Sequence, residues 1–186
     1  MPKPYRQGQL DCLCGTYATI NALRAACHKA GITDKISWRM LFRILLKQHD
    51  AKWRLAEMVT EGTDTPDILK GLLTSAEYLK RCHGVSVKVR WPWKSRRTVD
   101  APAALARLNK ETKQGSVLLL GYDGHKYAHW TVATDITDED LLLMDSSHGP
   151  SLKLSDFTFH PDGHLARHQT YVITPWSLAL IKVSRR

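Results

Sequence analysis

Gln7-Gly8-Gln9-Leu10-Asp11-Cys12-Leu13-Cys14-Gly15-Thr16-Tyr17-Ala18-Thr19-Ile20-Asn21-Ala22-Leu23 is the stretch from which the rest of the chain is read. From Cys14 to about Lys29 the sequence is apolar enough for one helix. Its period puts Cys14, Tyr17, Ala18, Asn21, Ala22 and Ala25 on one face and Ile20, Leu23 and Cys27 on another. A helix apolar nearly all round belongs in the middle of a fold. A cysteine in its first turn faces unpaired backbone N–H groups and the positive end of the helix dipole, which favours thiolate over thiol. That is what a cysteine nucleophile needs. Cys12, directly after Asp11, is the competing candidate; Cys14 has Gly15 behind it and the better helix face.

Working outward, the first half reads as helical: Ser37 to about Gln48, about Lys52 to Val59, and a helix capped by Asp64 or Thr65 that carries Pro66 in its first turn and stops at Gly84. Beyond Gly84 the alternation Val85-Ser86-Val87-Lys88-Val89-Arg90-Trp91 is that of a strand. A helix from Ala101 to Lys113, capped by Asp100, interrupts before further strand signals at Ser116 to Gly121, Tyr127 to Ala133, Leu141 to Asp145, Phe157 to Phe159 and Gln169 to Ile173. Helices first and a mostly antiparallel sheet afterwards make an α+β pattern, and without repeats or a linker residues 1–186 read as a single domain.

A thiolate nucleophile needs a base. In Tyr127-Ala128-His129-Trp130-Thr131-Val132-Ala133, strand alternation puts His129, Thr131 and Ala133 on one side. If this strand and Leu141 to Asp145 form a hairpin centred on Thr137, positions 129 and 145 stand opposite each other and share a face. The Asp145 carboxylate then lies beside the imidazole, where it fixes the tautomer and stabilises the imidazolium. A slip of one residue in register separates them.

Gln7, Cys14-Gly15-x-Tyr17-Ala18-x-x-Asn21-Ala22-Leu23, His129-Trp130-Thr131-Val132 and Asp145-Ser146 together resemble the papain-like cysteine peptidase superfamily, near its compact bacterial, bacteriocin-processing branch. The resemblance implies a papain-like fold whose central helix is opened by the nucleophile Cys14. It implies His129 as general base and acid, Asp145 as its orienter, and Gln7 with the Cys14 backbone N–H as the oxyanion hole. The papain Cys-Gly-Ser-Cys-Trp sequence is absent, Asp145-Ser146-Ser147 replaces Asn-Ser-Trp, and Gln9 competes with Gln7. The implied activity is hydrolysis of an amide or isopeptide bond in a protein or peptide through a thioester. The same triad chemistry also serves transglutamination and deamidation. No cofactor is implied.

Composition bounds these readings. The 186 residues are 43% hydrophobic and 24% charged, which excludes disorder as the dominant state, and no apolar run approaches a membrane span. Four scattered cysteines and no secretion signal point to a cytoplasmic, thiol-reduced protein. The formal charge of +9 is local: Lys80, Arg81, Lys88, Arg90, Lys94, Arg96 and Arg97 carry seven positive charges without an acid, Lys182, Arg185 and Arg186 add three, and the rest is close to neutral. The Lys80 to Arg97 stretch is a candidate docking surface for an acidic partner. With Trp91 and Trp93 interleaved it also suits single-stranded nucleic acid, the rival reading. A zinc site from Cys12-x-Cys14, Cys27-His28 and Cys82-His83 fits no compact spacing, so no metal is expected. Asn21 reads as a polar contact of the central helix. Ser146 and Ser147 lack the Gly-x-Ser-x-Gly elbow of a nucleophile.

Overall fold

The computed structural model describes residues 1–8, 11–33, 35–50, 54–93, 99–124, 128–147, 149–159 and 170–185. Their architecture is α+β. Five α-helices are described, α1 (Cys14–Lys29), α2 (Trp38–Asp50), α3 (Leu55–Glu61), α4 (Thr65–His83) and α5 (Ala101–Lys113). The strands are β1 (Val85–Arg90), β2 (Val117–Gly124), β3 (Ala128–Ile136), β4 (Asp140–Leu143), β5 (Ser151–Lys153), β6 (Phe157–Thr158), β7 (Tyr171–Val172) and β8 (Leu178–Arg185).

Local chemistry sets the helix ends. The Asp64 carboxylate accepts from the Asp67 N–H at 2.8 Å at the start of α4, and Gly84 closes it with φ 62°, a left-handed conformation that glycine adopts without strain. Asp100 caps α5 in the same way through the Ala103 N–H at 2.9 Å. Both helices carry proline in the first turn, where its missing N–H costs nothing.

The sheet is open and mostly antiparallel, in the order β1-β8-β2-β3-β4-β5, with β7 pairing the end of β2 and β6 pairing β7 in parallel. β8 is a strand the sequence reading omits, although it lies between β1 and β2. Its two faces are buried on opposite sides: Ala179, Ile181 and Val183 join the core under α1, and Leu178 and Leu180 join the core that includes Ala104 and Leu108 of α5. Helix α1 packs against α2 and α4 on one side and against β2, β3 and β8 on the other, and is buried on nearly every side; α5 covers the opposite face of the sheet. Truncating a fully buried side chain such as Leu23 to alanine costs about 2–5 kcal/mol. No helix among the described residues is long and apolar enough to cross a membrane.

The β3–β4 hairpin corrects the register expected from the sequence. Ile136 pairs with Leu141 and Asp135 with Leu142, but Ala133 pairs with Leu143, so Thr134 is an extra residue on β3. Its hydroxyl bonds the Leu142 carbonyl at 3.2 Å. His129 and Asp145 are therefore not the directly opposed pair that a hairpin centred on Thr137 makes them. Carried on unbroken, the pairing at the hairpin tip sets Asp145 across from Val132, on the face away from His129. The bulge shifts it by one, across from Thr131, which shares the His129 face. One irregular residue thus restores the parity.

Candidate functional site

Cys14 is the first residue of α1, so its N–H has no acceptor within the helix. Gly15 is required beside it. A Cβ there would stand 2.4 Å from Thr63 Oγ1 and 2.7 Å from Ile68 Cδ1, so only glycine lets the start of α4 close against α1. That contact seats Thr63, whose carbonyl accepts the Trp130 indole N–H at 2.8 Å. The Trp130 ring lies over Gly121 of β2, where a Cβ would come within 3.2 Å of it.

His129 is the second residue of β3 and is paired with Tyr122, whose ring meets the imidazole edge to face at 5.6 Å. Asp145, beyond the end of β4, has a fully buried side chain, and its Oδ2 is 3.0 Å from His129 Nε2. The other carboxylate oxygen accepts the Ser147 N–H at 2.6 Å and the Ser147 hydroxyl at 3.3 Å. The same hydroxyl is 3.2 Å from His129 Nε2. Cys14 is the imidazole's further hydrogen-bond partner. Burial opposes the imidazolium, but the Asp145 carboxylate and the Cys14 sulfur outweigh it and push the pKa of His129 up from 6.5 to about 9.

Gln7 reaches this group through the N-terminal segment, which runs along one stripe of α1. Arg24 donates to the Lys3 carbonyl at 2.8 Å and stacks on the Tyr5 ring at 4.0 Å. One turn earlier Asn21 clamps the Tyr5 backbone, accepting its N–H at 2.9 Å and donating to its carbonyl at 3.0 Å. The Gln7 N–H donates to the Ser146 carbonyl at 3.3 Å, its Oε1 accepts the Ser146 hydroxyl at 3.3 Å, and its Nε2 donates to the Asp11 carbonyl at 2.9 Å. These bonds fix the amide the right way round, and a primary amide has a second N–H to give.

Gln7, Cys14, His129 and Ser147 line one cavity of about 470 Å³, together with Cys12, Gly62 and Trp130. The structure thus gathers Gln7, Cys14, His129 and Asp145, the four residues read from sequence, at one place. Cys12 also borders the cavity, but its Sγ is turned to the Thr60 carbonyl at 3.2 Å, and Cys14 is the thiol bonded to the imidazole. Gln9 lies outside the described residues.

Four residues contribute in ways that escape the sequence reading. Asn21 holds the N-terminal strap as well as being a polar residue of the helix. Ser146 and Ser147, considered only as nucleophiles, orient Gln7 and the His129–Asp145 pair. Asp11 organises the loop before the helix, accepting the Gly8 N–H at 2.9 Å and the Leu13 N–H at 3.1 Å. The last is a signal that could have been read, since an aspartate commonly turns the chain by accepting the N–H two residues on.

The basic stretch is described only as far as Trp93; Lys94, Arg96 and Arg97 lie outside the described residues. Arg90 is paired with Glu111. Trp93 is only 4% exposed and has Arg107 over its ring at 5.4 Å, so it offers no open face for a base to stack on. Among the described residues no group of three or more His, Cys, Asp or Glu is placed to hold a metal ion. No protein-family model matches the chain, and no curated protein matches it.

Proposed function

We propose that this chain is a papain-like cysteine hydrolase that cleaves an amide or isopeptide bond through a thioester on Cys14. One observation carries the reading: a histidine bonded at once to a buried carboxylate and to a helix-opening cysteine, its pKa pushed up to about 9, at the wall of an open cavity. At neutral pH such a histidine is protonated beside the sulfur, which stabilises a thiolate.

The Cys14 thiolate attacks the carbonyl carbon, the C–S bond forms, and the carbonyl π pair moves to oxygen. The free N–H of Gln7 Nε2 and the Cys14 N–H receive that oxyanion. When the C–N bond breaks, its electron pair stays on nitrogen, which takes the proton from His129. Nε2 faces Asp145, so the other ring nitrogen handles this proton. The now neutral His129 draws a proton from water as it attacks the thioester, releasing the acid and restoring Cys14. Asp145 keeps the ring oriented throughout, and Ser147 holds Asp145.

The test is to treat the native protein with limiting chloroacetamide and locate the adduct by mass spectrometry. Selective alkylation of Cys14, lost in His129→Ala, is expected. Slow, indiscriminate labelling of Cys12, Cys14, Cys27 and Cys82 overturns the reading.

A further inference from the structure

The Cys14 cavity does not end at His129. A second cavity, of about 280 Å³, shares Thr63, Ala128, His129 and Trp130 with it and continues over the start of α4 and the end of β2, where Asp64, Asp123 and Trp176 line it. The two adjoin along the four shared residues, with the imidazole between them. Gln7 and Cys14 stand on one arm, Asp64 and Asp123 on the other.

Among the described residues the charge lining these cavities is opposite to that of the chain. Against a formal +9 overall, the described residues lining them include the carboxylates Glu61, Asp64 and Asp123 and no lysine or arginine. Asp64 is engaged in capping α4. Asp123 is different: its carboxylate has no hydrogen bond or ion pair among the described residues, and partial burial raises its pKa with no cation to offset the effect. Trp176, which lines the same cavity, is 37% exposed, its backbone held by the Trp91 indole N–H bonded to its carbonyl at 2.7 Å. A lone carboxylate and an accessible indole lining one cavity make a receptor for a cation.

Resting on the hydrolase reading, the direction of the reaction assigns this arm. Cys14 and Gln7 hold the carbonyl, and His129 protonates the departing nitrogen, so whatever is bonded to that nitrogen extends past His129. We infer that the arm beyond His129 receives a basic residue, bearing an ammonium or guanidinium group, on the leaving-group side of the scissile bond, with Asp123 as its specificity-determining carboxylate.

Three probes test this: chloroacetyl-lysinamide, chloroacetyl-norleucinamide and chloroacetyl-glutamic acid α-amide. In each, the Cys14 sulfur displaces chloride, and the amino-acid side chain lies on the amide nitrogen's side of the carbonyl. The rate at Cys14, mapped by mass spectrometry, should follow lysine over norleucine over glutamate. The lysine-to-glutamate ratio should be about tenfold at low salt, against the net charge of the protein, and shrink at about 0.5 M salt. Asp123→Asn should collapse that ratio and Asp123→Lys should reverse it. Asp123 lies at the protein surface with its carboxylate only partly shielded from water, so both variants should fold, which circular dichroism checks. Selective Cys14 labelling at one rate for all three probes, or a ratio unchanged in Asp123→Asn, overturns the inference and leaves the hydrolase reading standing. Absence of selective Cys14 labelling by any probe overturns the hydrolase reading itself.

Discussion

Among the described residues two histidine–aspartate pairs have a buried imidazole, and they differ in what surrounds them. His129 and Asp145 meet at 3.0 Å, the carboxylate's other oxygen is held by Ser147, and a thiol and an open cavity of about 470 Å³ adjoin the ring. His49 and Asp67 meet only at 4.0 Å, and Asp67 divides its charge between His49 and Arg54, which is 3.5 Å away. Burial and the neighbouring Asp64 raise the Asp67 pKa, so ionising Asp67 works against its surroundings. Around His49 the space is about 10 Å³, too small for a substrate. A buried imidazole beside a carboxylate is therefore not in itself a site. A contact at 3.0 Å, a nucleophile and room for a third party separate the first pair from the second.

The sharpest break between the pairs is expected from their histidines. Cys14→Ala should remove selective alkylation altogether, and His129→Ala should reduce Cys14 alkylation by chloroacetamide at least about 100-fold at neutral pH. His49→Ala should leave that rate within about twofold yet lower the melting temperature, because it empties a buried position at a cost of about 1–3 kcal/mol. Equal loss of Cys14 reactivity in the two histidine variants would erase the distinction drawn above.

The carboxylates come next. Asp145→Asn keeps the shape but not the charge that orients and stabilises the imidazolium, and should lower acylation of Cys14 by p-nitrophenyl acetate about 10²- to 10⁴-fold. Asp67→Asn should leave acylation unchanged. Gln7→Ala should lower the same acylation about 100- to 1,000-fold. Alkylation by chloroacetamide passes through no tetrahedral oxyanion and should hardly respond, so the two reagents together separate an oxyanion donor from a residue that merely shapes the cavity.

How much of this was written in the residues depended on how locally each feature is determined. Helices α4 and α5 begin and end within about a residue of where the sequence places them, because a capping carboxylate and a first-turn proline are short-range signals. The strand β8 was missed for the opposite reason. Leu178-Ala179-Leu180-Ile181 is buried on both faces in mid-sheet, so it shows no alternation, and Lys182 and Arg185 make its end look like a charged tail. Cys14, His129, Asp145 and Gln7 were legible as residue types in a familiar order. The way they meet was not, because the extra residue Thr134 leaves no mark in composition or period. Ser146 and Ser147 were invisible in their actual role, since a serine that orients a neighbour has no motif.

The titration of His129 sharpens the comparison further. Its folded pKa of about 9 exceeds the ordinary 6.5, so the stabilisation it gives is fully present below about pH 6.5 and is lost as pH rises through 9. Cys14 supplies part of that rise, so the His129 pKa read from its ring-proton NMR shift should fall in Cys14→Ala and be unmoved in Asp67→Asn. A value that stays put without the sulfur would mean that Asp145 alone holds the imidazolium.

The smallest effect belongs to the strap, which only the first pair possesses. Asn21 is fully buried and its amide exchanges two hydrogen bonds with the Tyr5 backbone, two residues before Gln7. Asn21→Ala removes both bonds, at a cost of about 1–3 kcal/mol to folding. Arg24 still holds Lys3, and Ser146 still holds Gln7, so the strap should loosen at its middle and not detach. Acylation by p-nitrophenyl acetate should then fall by a factor between unity and that of Gln7→Ala, while alkylation keeps its wild-type rate. Because the strap reaches the reaction only through Gln7, adding Asn21→Ala to Gln7→Ala should cost nothing more in acylation. An additive loss would place Asn21 on a route to Cys14 through α1 itself, and the N-terminal segment would then be ordinary packing.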